Sequence, residues 1–150
     1  MNEVSIECRD IGEPPWRPSA EAFALKTMER LGLRDWSLSV LLCGDEFIQR
    51  LNSEYRGKDE ATDVLSFSMG ATLEAEGRKR YIAGDIVISV PAMERNAAEF
   101  GVEADEELKR LFVHGILHLS GRDHENNDDT QPMLVEQESI LTALQGEHIL

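Results

Sequence analysis

The chain has 150 residues, 41% of them hydrophobic and 29% charged, with eleven glycines and five prolines; this composition excludes disordered, collagen-like and low-complexity chains and suits one domain over 1–150. Fifteen Lys and Arg against 29 Asp and Glu leave a net charge of −14, which argues against a protein that coats nucleic acid through its overall field. The acidity is concentrated in residues 99–150, with twelve acids against three bases, while Arg56, Lys58 and the run Arg78, Lys79, Arg80 are local basic spots. The run at 78–80 reads as a solvated hairpin tip or as a phosphate contact. Apolar runs such as SVLLC (39–43) are far short of the roughly 20 residues that a membrane span needs. MNEVSIECRD lacks the basic and apolar regions of a secretory signal, so the expected location is cytoplasmic, with no membrane partner. Cys8 and Cys43 are too few for a disulfide framework and read as reduced, buried thiols.

In chain order, the alternation in VSIEC predicts a strand over 4–8. Pro14, Pro15 and Pro18 then enforce an extended turn, and Ser19 is placed to cap a helix that runs to about Arg30 and stops at Gly32. Trp36, Leu38, Val40 and Leu42, interleaved with serines, predict a strand over 36–43. Asp45 is placed as the N-cap of a helix carrying Phe47, Ile48, Leu51 and Tyr55 at helical spacing. After the polar loop YRGKDEATD come two further strands, 64–69 ending at Gly70 and 82–90, joined as a hairpin across a charged connection of about ten residues. Pro91 opens a helix to Phe100, a longer one spans Ala104–Leu119, and a last one spans Pro132–Leu144. The expected architecture is α+β: a four-stranded mixed sheet packed against about five helices, with a metal site at the end of a central helix.

Three of the four histidines fall within HGILHLSGRDH, at 114, 118 and 124. His114 and His118, four apart on a helix, lie about 40° apart around the axis and one turn apart along it, so both imidazoles can reach one ion. Gly121 falls where a C-cap glycine ends the helix, and the returning chain can bring His124 to a third side. Three neutral imidazoles leave a Zn²⁺ its full double charge and one open position, the arrangement of catalytic rather than structural sites, and the ion lowers the pKa of water held there to about 7. Leu108, Phe112, Gly115 and Leu119 form the expected buried stripe, with the histidines on its flank. Gly115 costs about 1 kcal/mol against Ala in mid-helix, which points to a strand or a substrate backbone approaching there. Asp123 is placed to hold a histidine ring in its metal-binding tautomer. Glu125 and Asp128 read as a solvated acidic loop or as further ligands, and the isolated His148 as no ligand. A zinc protease of the H-E-x-x-H type has its general base directly after the first histidine; that position is Gly115, which disfavours peptide hydrolysis by that route.

These residues resemble the YbeY-type endoribonucleases, metal-dependent rRNA maturation factors. HGILHLSGRDH matches the family's H-G-x-L-H-L-x-G-x-D-H pattern, and LNSEYRGKDEATDVLSFS (51–68) and AGDIVIS (83–89) match two further blocks. Ala61 and Ser68 stand where the family usually has prolines, Ala83 where leucine is common and Arg122 where tyrosine is frequent. The resemblance implies a zinc-binding α+β fold with one Zn²⁺ per chain, held by His114, His118 and His124. It makes Arg56 of YRGKD the catalytic arginine, which residue type alone leaves as an ordinary surface arginine. It further implies cleavage of single-stranded rRNA, maturation of the 16S rRNA 3′ end and ribosome quality control, in company with the small ribosomal subunit and its proteins. Asp85 is a candidate general base or a structural hydrogen-bond acceptor, and attack by water or by the 2′-hydroxyl is compatible with this residue set. The net charge of −14 keeps a second reading open, a metal-stabilised ribosome assembly factor with little autonomous catalysis. A zinc hydrolase of another substrate is the third.

Overall fold

The computed structural model describes residues 1–124 and 128–150. The element order is β1 (Glu3–Arg9), α1 (Arg17–Arg30), β2 (Trp36–Cys43), α2 (Asp45–Arg56), β3 (Val64–Ala75), β4 (Arg78–Ser89), α3 (Val90–Phe100), α4 (Ala104–Leu119) and α5 (Pro132–Ala143). One mixed sheet has the strand order β1-β2-β4-β3, with β1, β2 and β4 parallel and β3 antiparallel to β4. The expected α+β architecture is present. Among the described residues no helix is long and apolar enough to cross a membrane.

Alternation along the strands divides the sheet into two faces. Leu38, Val40, Leu42, Ile86 and Ile88 pack with Phe23, Met28, Phe112 and Ile116 in the main core. Cys43, Leu65 and Val87 point the other way and pack with Ile48 of α2 in a smaller cluster. The helix α4 is therefore enclosed rather than merely docked: Leu108, Leu111, Phe112, Val113, Ile116 and Leu117 are all buried, so the expected stripe is one part of a helix covered on most sides. Each such side chain, fully removed from water, contributes about 1.5–3 kcal/mol before conformational entropy is set against it.

Neither expected cap residue is the N-cap of its helix. The first helix starts at Arg17 with Trp16 as N-cap and no side-chain cap bond, so Ser19 lies inside it. A turn closed by Arg17 N–H on the Pro14 carbonyl starts the helix early, and Pro18 occupies a first-turn position whose N–H needs no partner. Gly44, not Asp45, is the N-cap of α2. The Asp45 carboxylate instead accepts the Ser89 hydroxyl at 2.8 Å and both Arg95 guanidinium nitrogens at 2.6 and 3.0 Å, tying α2 to the start of α3.

The charged connection expected after Gly70 is a ladder of paired strands. β3 continues to Ala75, and the hairpin closes on Glu76 and Gly77, with φ of 52° and 75°, as a two-residue turn of the I′ kind requires. Beyond the cover of the helices the ladder satisfies its own backbone, so polar residues on both faces tolerate strand conformation there. The run at 78–80 follows the hairpin turn directly, with Arg78 and Lys79 exposed beside the tip, whereas the Arg80 guanidinium turns back to the sheet and donates to the carbonyls of Trp36 and Met1 and to the Ser37 hydroxyl. Cys43 is buried and Cys8 half-buried, and both are free thiols. Burial pushes the Cys43 thiol up to about 11, which leaves it unreactive.

Candidate metal centre

The helix α4 ends as the sequence signals require. Ser120 is the C-cap, Gly121 takes φ 97°, and the Arg122 N–H returns to the Leu117 carbonyl at 3.1 Å. This reversal brings His124 back to the two helical histidines. One ring nitrogen from each of His114, His118 and His124 lies within 4.8 Å of the other two, and the ring centroids are 4.6, 5.3 and 5.4 Å apart. All three rings are half-buried.

The donor set suits a divalent cation. His114 Nε2 and His118 Nε2 face each other at 3.1 Å, so two nitrogens converge on one point, and His114 Nδ1 is engaged behind them by Gln137 Oε1 at 2.7 Å. Burial pushes the His114 ring below the ordinary histidine value, the Gln137 bond offsetting part of that shift. His118 is lowered too, first by burial and then by the neighbouring His114 and His124 rings. An ordinary histidine titrates near ~6.5, so both rings are neutral at pH 7 and present lone pairs rather than protons.

Gly115 admits the strand and not a substrate: a Cβ there would lie 2.7 Å from Ile86 Cδ1 of β4. Close approach of α4 to the sheet at this point sets the depth at which His114 and His118 sit. Asp123 stands 3.9 Å from His118 Nδ1, beyond hydrogen-bond reach, and its carboxylate accepts the His124 backbone N–H at 2.8 Å. Its role is in the loop, whereas the ring-holding role belongs to Gln137 of α5, which the sequence reading missed. Gln137 is 6% exposed and shares the buried side of α5 with Met133, Ile140 and Leu141, and a glutamine at that spacing is the signal that it has a partner. The loop is also stapled from outside, by Arg122, whose Nε and Nη2 donate to Glu136 at 2.5 and 3.0 Å and whose Nη1 donates to Ser120 Oγ at 2.7 Å.

Arg56 is exposed in the last turn of α2, and its guanidinium makes no hydrogen bond or ion pair with a described residue. Asp85 is exposed on the sheet face that carries α2, beside Leu41, Tyr55, Phe67 and Val87, while its neighbour Ile86 points to Gly115; the structure does not bring Asp85 to the histidines. Asp128 accepts the N–H and hydroxyl of Thr130 at 2.9 and 2.8 Å, and Glu125 lies outside the described residues. His148 is paired with Asp105 at 2.9 Å.

Comparison with known proteins gives one consistent result. The family model described as Endoribonuclease YbeY matches residues 9–145. Two curated relatives, both named Endoribonuclease YbeY, come from Treponema denticola and Treponema pallidum strain Nichols. The first is 46% identical over 152 residues, covering 99% of this chain and 97% of the relative. The second is 44% identical over 142 residues, covering 94% and 89%. A solution structure of a Thermotoga maritima protein superposes with a TM-score of 0.64 at 31% identity, covering 96% of this chain and 90% of that one. With the family model matched over nearly the whole length, the chain belongs to the YbeY endoribonuclease family.

Proposed function

We propose that this chain, working as one unit over 1–150, is a metal-dependent endoribonuclease that cleaves single-stranded rRNA during maturation of the 16S 3′ end. The observation that carries the reading is the convergence of His114, His118 and His124 within 4.8 Å in a chain of this family. The reading extends to action on the small ribosomal subunit with its proteins, to a part in ribosome quality control and to a cytoplasmic location.

His114, His118 and His124 hold the ion, with Zn²⁺ the divalent cation that best suits three neutral imidazoles. When bound, it supplies Lewis-acid stabilisation of charge on a phosphate. The chain's own residues do the rest. The enclosed α4 keeps one side of the site dry, and the three rings, only half-buried, keep an edge that a polynucleotide can reach. Arg56, free of protein partners among the described residues, presents its guanidinium fork to a phosphodiester and stabilises the charge that grows on it. A net charge of −14 limits binding to free RNA and favours capture on the ribosome, where basic proteins supply the complementary field.

The test is cleavage of a short single-stranded 16S rRNA 3′ precursor by wild type, His118→Ala and Arg56→Ala, purified identically and with bound metal quantified. Wild type should cut, His118→Ala should lose both metal and cleavage, and Arg56→Ala should keep metal while turnover falls by about 10²–10³. Wild type that carries metal yet cuts no faster than either variant would replace this reading with a ribosome assembly factor.

A further inference from the structure

The side chain of Gln137 lies between the histidine cluster and an ion pair that has no direct contact with it. Its Oε1 is 2.7 Å from His114 Nδ1, and its Nε2 is 3.2 Å from Glu138 Oε2. Glu138 is gripped in turn by the Arg110 fork, Nε at 3.0 Å and Nη2 at 2.9 Å. The Arg110 bond holds the Glu138 carboxyl below its ordinary value, so at neutral pH it is ionised and can only accept.

That restriction propagates. An ionised carboxylate requires the Gln137 amide to present its NH₂ to Glu138, which fixes the amide orientation and turns Oε1 toward His114. An amide oxygen can only accept, so the proton of the neutral imidazole must sit on Nδ1. Nε2 is then left with its lone pair, and Nε2 is the atom that faces His118 Nε2 at 3.1 Å. Burial of Gln137, at 6% exposure, denies its oxygen water as an alternative partner.

We infer that Gln137 is a positioning residue for the metal centre: oriented by the Arg110–Glu138 pair, it locks His114 into the Nδ1–H tautomer and so makes Nε2 a ligand before any ion arrives. The inference rests on the reading that the histidines hold a metal. It adds that α5, which carries no ligand, sets the affinity of the site.

The experiment uses the full chain, stripped of metal, as wild type, Gln137→Leu, Gln137→Glu and Glu138→Ala. Zn²⁺ affinity is measured by competition with a chromophoric chelator, and the His114 tautomer by long-range ¹H–¹⁵N spectra of the metal-free proteins. Gln137→Leu should bind Zn²⁺ about 10–100-fold more weakly, while Gln137→Glu, which keeps an acceptor against Nδ1, should bind at least as tightly as wild type. Wild-type His114 should show its proton on Nδ1, and Glu138→Ala should convert that signal to a mixture of tautomers. Wild-type affinity in Gln137→Leu, equal losses in the Leu and Glu variants, or a wild-type proton on Nε2 would each overturn the inference. Should Gln137→Leu fail to fold, the spectra of wild type and Glu138→Ala decide alone. Wild type that binds no Zn²⁺ would sink the metal reading, and the tautomer spectra would still show whether Gln137 governs the ring.

Discussion

Gly115 of α4 lies so close to Ile86 of β4 that a single added methyl would stand 2.7 Å from Ile86 Cδ1 and 3.0 Å from its Cγ1 and Cγ2. Gly115→Ala therefore sets two effects against each other. Helix propensity favours Ala by about 1 kcal/mol, and overpacking a filled core costs about 1–3 kcal/mol. Packing should prevail, with a net loss of about 1 kcal/mol in urea denaturation. In an Ile86→Val background, which removes Cδ1, the loss should shrink; an unchanged loss would mean that the close approach is not its source.

Ion binding at the histidines should stabilise the fold by mass action. At a Zn²⁺ concentration about 100-fold above Kd, the gain is ~2.7 kcal/mol, which a chain of this size registers as a rise in Tm of about 5–10 °C. Thermal scans of chelator-treated protein with and without added Zn²⁺ measure it. His118→Ala should abolish the rise while leaving the metal-free Tm nearly in place, because the His118 ring is half-buried at the edge of the core and makes no bond to the sheet.

The Arg122–Glu136 pair joins the loop that carries His124 to α5 through two hydrogen bonds, with side chains 38% and 36% exposed. At that exposure it contributes on the order of 1 kcal/mol, and the contribution falls on the loop rather than on the core. Arg122→Ala should accordingly lower Zn²⁺ affinity by about threefold to fivefold with little change in global stability, and Glu136→Ala should do the same. Combining the two substitutions should cost no more than either alone. Additive losses would show that Arg122 acts through Ser120 instead.

Asp105, in the first turn of α4, accepts the backbone N–H groups of Ile149 and Leu150 at 2.7 and 2.9 Å and His148 Nδ1 at 2.9 Å. Burial works to raise its pKa, but these bonds together with Lys109 prevail and hold the carboxyl below its ordinary value. A depressed folded value means that its stabilisation is complete above the unfolded value of about 4 and is lost as pH falls through the lower, folded one. Wild type should exceed Asp105→Asn by about 2 kcal/mol at pH 6, and the gap should close below pH ~4. Chemical denaturation of both proteins across that range checks the sign. A gap independent of pH would mean that shape rather than charge holds residues 148–150.

Much of the fold was legible because periodicity and punctuation agreed. The α4 boundaries at Ala104 and Leu119, the stop at Gly121 and the strand over 36–43 follow from local rules that the structure leaves intact. Where the reading failed, a distant partner had intervened. Asp45 looked like a cap until Arg95 and Ser89 claimed its carboxylate, and residues 70–81 looked like a loop until a partner strand gave them a ladder.

The candidate metal centre divides in the same way. Local sequence determined that His114 and His118 share one side of a helix and that Gly121 returns the chain toward them, because a helical repeat and a left-handed glycine act over a few residues. Local sequence also carried the family pattern, which rests on those same positions. Tertiary structure alone decided that Asp85 stands on the far sheet face, that Ile86 meets Gly115, and that Gln137, 23 residues from His114, holds its ring. Those relationships depend on how whole elements pack, and side-chain contacts between elements leave no fixed spacing along the chain from which they can be read.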